Sequence, residues 1–133
     1  LMVGRSHPLA RRKSVKREEL GDLELTMPSS MHGSRALLEA YCEEGGVHLA
    51  PRLRLDSLAM TTTVVAGGRL CAVLPREACT GEIERKDIAA IALDPPLKRT
   101  VYLAHLRDRA PTPHMKALAR EIAHVVRAKI SAR

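Results

Sequence analysis

Two polar turns contain the residues of this sequence whose types and spacing could support catalysis or ligand binding. The first, P-S-S-M-H-G-S-R at positions 28–35, holds two adjacent serines and a histidine, and the second holds Asp56 and Ser57. Ser30, His32 and Asp56 are the candidates for a hydrolase triad. That chemistry needs a sharply turned nucleophile, and the G-x-S-x-G pattern that supplies one is absent. We therefore expect no catalytic residue, no cofactor and no metal site.

Anion binding is the second chemistry that these turns suit. In open α/β sheets, ligands bind beyond the carboxyl ends of the strands, where helix N-termini present unpaired N–H groups. Ser29 and Ser30 would add hydroxyl donors, His32 and Arg35 would add charge, and Gly33 would let the backbone approach a ligand. Capping of the following helix is the other interpretation of either turn, because serine and aspartate satisfy the first N–H groups. His32 has two interpretations as well, as a ligand contact or as a surface histidine.

A strand–turn–helix unit that occurs twice positions both turns. The apolar run 23–27 predicts a strand, followed by a helix that ends at a double glycine. Alternation at 53–55 and helical spacing over 58–65 predict a second strand and helix, ended by another double glycine. A third strand at 71–74 completes a βαβαβ pattern, which is typical of a parallel sheet with helices on its faces. Both polar turns would then open on the same edge of that sheet.

The C-terminal third predicts further elements after a proline boundary. Positions 88–93 predict a strand that ends at the Asp94-Pro95-Pro96 boundary, and positions 100–106 predict another. Thr112 and Pro113 supply a cap and a first-turn proline for a last helix. Its predicted apolar face carries Met115, Leu118, Ile122, Val125 and Lys129.

The composition limits the function classes. The chain has 133 residues, 45% hydrophobic and 28% charged, a balance typical of a soluble globular domain. No apolar stretch approaches the roughly 18 residues of a membrane span and no signal-peptide pattern is present, so we expect a cytoplasmic protein without a membrane partner. The three cysteines, Cys42, Cys71 and Cys79, lack metal-ligand spacing, so we expect reduced structural thiols.

The net charge of +7 is compatible with a nucleic-acid partner. Six basic residues lie within the first seventeen positions, namely Arg5, Arg11, Arg12, Lys13, Lys16 and Arg17. Only 2% of the residues are aromatic, however, and Phe and Trp are absent, so the stacking platforms of single-strand binders are missing. We favour a solvated basic face as the explanation of the cluster. A stand-alone basic α/β protein that binds nucleic acid therefore remains the alternative function.

A series of short motifs runs along the whole chain in a fixed order. The series comprises Leu1-Met2-Val3, His7-Pro8-Leu9-Ala10, Pro28-Ser29, Asp56-Ser57, Val65-Ala66 with Gly68, and Leu74-Pro75. Their order and spacing resemble the effector-binding domain of LysR-type transcriptional regulators. The resemblance implies an α/β fold like that of type 2 periplasmic binding proteins, with a parallel or mixed sheet flanked by helices in three layers, and an incomplete second lobe. Leu70 departs from the family, which usually has a glycine there, and this puts the backbone of that turn in doubt.

The resemblance also implies a domain division, a site and partners. Residues 1–97 would form lobe two, and residues 98–133 would be the chain returning to lobe one. Ser29, Ser30, Met31, His32, Asp56 and Ser57 would line the effector cleft. The function implied is a ligand-sensing regulatory domain that binds a small effector, an organic or inorganic anion, between two lobes. It would self-associate as a dimer or tetramer, and would reach DNA only through an N-terminal winged helix-turn-helix that lies outside this chain.

Overall fold

The computed structural model describes residues 1–29, 33–106 and 108–131, except that the side chains of 129–131 are not described. The chain divides into two compact units, Leu1–Arg99 and Thr100–Arg133, which we call the first and the second unit. The first unit contains all seven strands of the described chain and three of its four α-helices. The second unit contains the remaining helix. The predicted division after residue 97 stays a prediction about lobes.

The strands of the first unit are short. They are β1 (Met2–Gly4), β2 (Ser14–Lys16), β3 (Thr26–Met27), β4 (Leu53–Arg54), β5 (Cys71–Ala72), β6 (Ile88–Ala90) and β7 (Ala92–Asp94). The α-helices are α1 (Gly33–Glu43), α2 (Leu58–Ala66) and α3 (Thr80–Glu84) in the first unit, and α4 (Pro113–Ser131) in the second. Three 3₁₀-helices lie between these elements, at Pro8–Arg11, Arg17–Asp22 and Arg76–Cys79. The predicted βαβαβ unit corresponds to β3, α1, β4, α2 and β5.

The sheet of the first unit is mixed. β3 and β4 pair in parallel, with Thr26 opposite Leu53, and a parallel bridge between Leu25 and Cys71 links β3 to β5. β1 then lies antiparallel between β5 and β6. The resulting order is β4-β3-β5-β1-β6, so the predicted parallel arrangement of the three βαβαβ strands is confirmed. β1 is the strand that makes the sheet mixed.

The predicted strand at 88–93 is two strands with a break at Ile91. β6 pairs with β1, whereas β7 pairs in parallel with β2. At the break, the Ile91 N–H donates to the Leu1 carbonyl at 2.8 Å, and the next N–H, of Ala92, donates to the Lys13 carbonyl at 3.2 Å. The chain therefore changes partner within one residue, which a run of apolar residues in a sequence does not indicate.

Helices cover both faces of the sheet, which gives the three layers expected of the fold. Because side chains alternate along a strand, neighbouring residues face opposite ways. Val3, Cys71 and Ala89 share one core cluster with Leu38 and Tyr41 of α1. The adjacent residues Met2, Ala72 and Ile88 share the other cluster with Val65 of α2. The sheet is thus buried on both faces, as parallel α/β sheets are.

Leu70 does not disturb the turn that follows α2. Gly68 takes the left-handed backbone conformation there, with φ of +85°. Lys86 is the only residue other than glycine that has positive φ in the described part of the chain. Leu70 therefore keeps ordinary backbone geometry. A β-carbon on Gly4 would lie 2.6 Å from the α-carbon of Gly68, so the two glycines let β1 approach this turn closely. A leucine at position 70 is therefore compatible with the backbone conformation of this turn.

In the second unit, the predicted helix is present and the predicted strand is not formed. α4 begins at Pro113, and the Met115 N–H donates to the Thr112 hydroxyl at 3.2 Å, as the predicted cap requires. The predicted strand at 100–106 is wrong, because none of these residues joins a ladder with any described part of the chain. A strand needs a neighbour to satisfy its N–H and C=O groups, and the apolar alternation of 100–106 supplies none.

Candidate functional site

The two polar turns leave the sheet at the same edge, as predicted. β3 and β4 are parallel neighbours, so the residues after Met27 and after Arg54 emerge side by side. The Ser29 N–H donates to Oδ1 of Asp56 at 2.8 Å, which joins the turns directly. We call Pro28, Ser29 and the first turn of α1 the first lip, and Asp56, Ser57 and the first turn of α2 the second lip.

Ser57 is a helix cap. It has extended backbone geometry, and its hydroxyl accepts a hydrogen bond from the Met60 N–H at 3.4 Å. Its carbonyl accepts a further bond from the Thr61 hydroxyl at 2.9 Å. The capping interpretation is therefore confirmed for Ser57. Capping uses the hydroxyl as an acceptor and leaves its proton able to donate, so an exposed Ser57 can also contact a ligand.

Arg35 holds the first lip in place. Its Nε donates to Oε1 of Glu39 at 2.7 Å, and its Nη1 donates to the Pro28 carbonyl at 3.4 Å. Only 14% of the side chain is exposed. The guanidinium therefore ties the turn before α1 to the helix. The Arg35–Glu39 pair has the i,i+4 spacing of a helical ion pair and was recognisable from the sequence, but the contact with Pro28 was not.

The first turn of α1 is open above Gly33. A β-carbon built at Gly33 would meet no atom within 4 Å. Packing in the described part of the chain therefore does not require a glycine at this position. The first N–H groups of a helix have no acceptors inside the helix. The opening leaves room for a ligand at the end of the helix that carries the positive part of its dipole.

Three predicted site residues, Ser30, Met31 and His32, lie outside the described residues. The positions of the first lip that the structure does describe are Pro28, Ser29 and residues 33–36. Asp56, the third member of the triad considered from the sequence, accepts the Ser29 N–H. Ser29, Asp56 and Ser57 are thus the predicted site residues that the structure brings together.

The His7-Pro8-Leu9 motif and the cysteines are structural. Nδ1 of His7 accepts the Leu9 N–H at 3.1 Å, which leaves Nε2 to face Sγ of Cys71 at 3.4 Å. Burial lowers the pKa of His7 and raises the pKa of Cys71 to about 11. Burial also raises the pKa values of the Cys42 and Cys79 thiols, and all three cysteines are free and buried. Protonated, buried thiols are poor nucleophiles and poor metal ligands.

Two open cavities lie beside the helices of the first unit. One, of about 300 Å³, lies between α2 and the segment of α3, and is lined by Ala59, Thr62, Thr63, Ala66, Glu82, Arg85 and Asp87. The other, of about 230 Å³, lies beside α1 and is lined by Leu37, Ala40, Tyr41, Glu44, Pro96, Leu97 and Lys98. Neither contains a predicted site residue. The described residues form no cluster of three or more potential metal ligands, and none of their helices is long and apolar enough to cross a membrane.

Residues 1–127 match the family described as the LysR substrate binding domain. The chain belongs to this family. The recognition made from the short motifs is therefore confirmed. The LysR substrate binding domain is a domain of transcription regulators and not a family of enzymes, and it senses a ligand. The match does not favour the alternative of a stand-alone nucleic-acid-binding protein.

A solved structure shows the same fold. The chain is similar to the regulatory domain of MetR, a LysR family regulator from N. meningitidis, with a TM-score of 0.63 and 17% sequence identity. The match covers 72% of this chain and 45% of the MetR chain. The predicted α/β fold of the type 2 periplasmic-binding-protein kind is thus confirmed for this LysR substrate binding domain. The chain spans less than half the length of the MetR structure.

Proposed function

We propose that the two lips form one wall of the effector site of a LysR-type transcription regulator. The observation that carries the proposal is the 2.8 Å hydrogen bond from the Ser29 N–H to Asp56, which joins the ends of two parallel strands beside the open first turn of α1. Ligands of open α/β sheets bind at this kind of edge. Ser30, Met31 and His32 belong to the same proposed wall through the family resemblance.

The effector we propose is a small organic or inorganic anion. Its donors would be the hydroxyls of Ser29, Ser30 and Ser57 and the first N–H groups of α1, with the helix dipole adding a favourable field. Asp56 adds one negative charge beside these donors, and its bond to Ser29 offsets part of that charge. An anion would therefore approach from the open side of α1, above Gly33, where no β-carbon stands in its way.

We further propose that residues 1–97 are lobe two and residues 98–133 are the return segment of lobe one. The separation of compact units between Arg99 and Thr100 supports this division. The second unit also has the exposed apolar residues expected of a segment that packs elsewhere in a longer protein, including Leu103, Leu118 and Val125. The remaining part of lobe one would supply the opposite wall of the effector site.

In the whole regulator, ligand binding would control DNA binding from a distance. A ligand that fits one arrangement of the lobes better than another shifts the population toward that arrangement. A dimer or tetramer would pass this shift to N-terminal winged helix-turn-helix domains, which would make the contacts with DNA. No catalytic step is needed for this function.

A thermal-shift screen tests the effector site. The 133-residue chain is screened against small organic acids, amino acids and inorganic anions, alongside the double variant Ser29→Ala/Ser30→Ala and the control Ser14→Ala, whose serine is exposed on β2. We expect at least one compound to raise the melting temperature of the wild type and of Ser14→Ala but not of the lip variant. An equal rise in all three proteins would place the site elsewhere.

Asp56→Asn tests the charge of the effector. Asparagine keeps an acceptor for the Ser29 N–H but removes the negative charge beside the proposed anion. The affinity for an anion identified in the screen should rise about twofold to fivefold at low salt, and this gain should shrink as salt increases. A loss of affinity would mean that the effector presents a cation or several donors to Asp56.

A further inference from the structure

α1 runs from the first lip to the segment through which the chain leaves the first unit. Its first turn, which begins at Gly33, is part of the first lip, and Tyr41 lies one helical half-turn before its last residue, Glu43. We call residues 95–99 the exit segment, because they follow β7 and end where the first unit ends. One helix of 11 residues therefore touches both places.

Tyr41 makes the contact at the exit segment. Its hydroxyl donates to the Pro95 carbonyl at 2.6 Å, although the two residues are 54 positions apart in the sequence. Burial is the main reason that the pKa of Tyr41 is raised, so the phenol stays protonated and able to donate. The ring is fixed by Arg17, whose guanidinium carbon lies 5.0 Å from the ring centre and whose Nη1 donates to the Tyr41 carbonyl at 3.0 Å.

The exit segment has few other attachments. The β2–β7 ladder ends at Asp94, and no backbone hydrogen bond joins residues 95–99 to the part of the first unit that the structure describes. Leu97 packs against the core, but the open cavity of about 230 Å³ separates much of the segment from α1. The Tyr41 hydroxyl is thus the directional contact that fixes where Pro95 lies.

We propose that Tyr41 is a positioning residue that couples the first lip to the exit segment. A helix transmits a displacement along its axis because its backbone hydrogen bonds keep it rigid, so a shift of α1 at the lip moves Pro95 through this one bond. The coupling is a property of the chain without ligand. Its role in regulation rests on the proposed function, in which the effector contacts the first lip.

The first test removes the hydroxyl and nothing else. Tyr41→Phe keeps the ring that packs in the core and under Arg17, and Tyr102→Phe is the matched control, because Tyr102 is 82% exposed in the second unit. The amides of Leu97, Lys98 and Arg99 make no backbone hydrogen bond to any described residue, so the measurement is their NMR order parameter, which reports backbone rigidity. It should fall from the value of about 0.85 typical of a rigid backbone toward about 0.6 in Tyr41→Phe and stay unchanged in Tyr102→Phe. Equal order parameters at 97–99 in Tyr41→Phe and the wild type overturn the proposal.

The second test measures coupling without a ligand. Asp56→Ala removes the acceptor of the Ser29 N–H and so disturbs the first lip, and its effect on the NMR order parameters is compared with and without Tyr41→Phe. We expect Asp56→Ala alone to lower the order parameters by at least about 0.1 both in residues 34–37 and in residues 97–99. In the Tyr41→Phe background, the response of 34–37 should remain and that of 97–99 should disappear.

Two results of this second test overturn the coupling. One is a response at 97–99 of the same size in both backgrounds, and the other is the absence of a response at 97–99 when Tyr41 is present. A merely structural role for Tyr41 predicts additive effects of the two substitutions. Because no effector is used, failure of this test leaves the thermal-shift result intact, and failure of the thermal-shift screen leaves this result intact.

Discussion

The two units contain similar apolar patterns and bury them very differently. In the first unit, apolar side chains from both faces of the sheet enter two core clusters, and many of them are fully buried. In the second unit, no side chain that the structure describes is buried, and Leu118 of α4 is 61% exposed. The apolar face of α4 is as regular as that of α1. An apolar pattern therefore shows which face of an element must be covered, but it does not show that a covering element belongs to the same chain.

The largest expected difference between the units is the loss of stability when one leucine in each is truncated to alanine. Leu20 is fully buried in the first unit, so Leu20→Ala should lower the free energy of unfolding by about 2–5 kcal/mol. Leu118→Ala, the control in the second unit, should change it by less than about 0.5 kcal/mol. Urea denaturation measures both values. Comparable losses would mean that α4 is covered in solution, for example by a second copy of the chain.

Two glycines of the first unit, Gly4 and Gly33, should respond differently in stability when alanine adds a single methyl group. A β-carbon at Gly4 would lie 2.6 Å from the Val65 carbonyl oxygen and from the Gly68 α-carbon, both of them backbone atoms that cannot easily move. Gly4→Ala should therefore cost about 1–3 kcal/mol. Gly33→Ala meets open space, so it should leave stability unchanged or raise it by up to about 1 kcal/mol.

The same glycine pair separates stability from binding. Gly33→Ala places a methyl group over the first turn of α1 and should weaken an effector found in the thermal-shift screen. Calorimetric titration of that compound supplies the affinity, and thermal melting supplies the stability. Unchanged affinity in Gly33→Ala would place the effector away from the first turn of α1.

The smallest expected effect is a pH dependence that differs between the two units. Burial lowers the pKa of His7, so the unfolded chain binds more protons than the folded chain below the ordinary histidine value of about 6.5. Stability should therefore be constant above that value and fall as the pH decreases below it, toward the lowered pKa of the folded state. Protonation also removes the acceptor that Nδ1 offers to the Leu9 N–H.

His7→Asn isolates this contribution, because asparagine can still accept the Leu9 N–H but does not titrate. The fall in melting temperature between pH 7 and pH 5.5 should be a few degrees smaller in His7→Asn than in the wild type. His105→Asn, at an exposed position of the second unit, should retain the wild-type slope. Equal slopes in all three proteins would show that His7 does not contribute.

The sequence was sufficient to predict the strands and the position of the polar turns where the local residue pattern and the strand order of the sheet agree. The repeated strand–turn–helix unit predicted the parallel strands, and parallel strands place both polar turns at one edge, so the meeting of Ser29 with Asp56 followed from topology. The predicted strands at 88–93 and 100–106 differ instructively. Positions 88–94 form strands because they pair with β1 and β2, and positions 100–106 form none because they pair with no described residue.

The finer details of the lips were not readable from the residue pattern. Arg35 was expected to add charge for an anion, but the structure directs it to Glu39 and to the Pro28 carbonyl. A long, flexible side chain reaches several acceptors from one backbone position, so its partner depends on tertiary geometry. The Tyr41 bond to Pro95 joins residues 54 positions apart and has no local signature.

Both lips lie outside the two core clusters, and this separation has a practical consequence. Randomised libraries at positions 28–34 and 56–57 should vary what the domain recognises while the sheet and its covering helices stay intact, because Arg35 and Glu39 are kept. A selection on such a library, linked to a transcriptional reporter in the full regulator, would turn this edge of the sheet into a starting point for engineered biosensors.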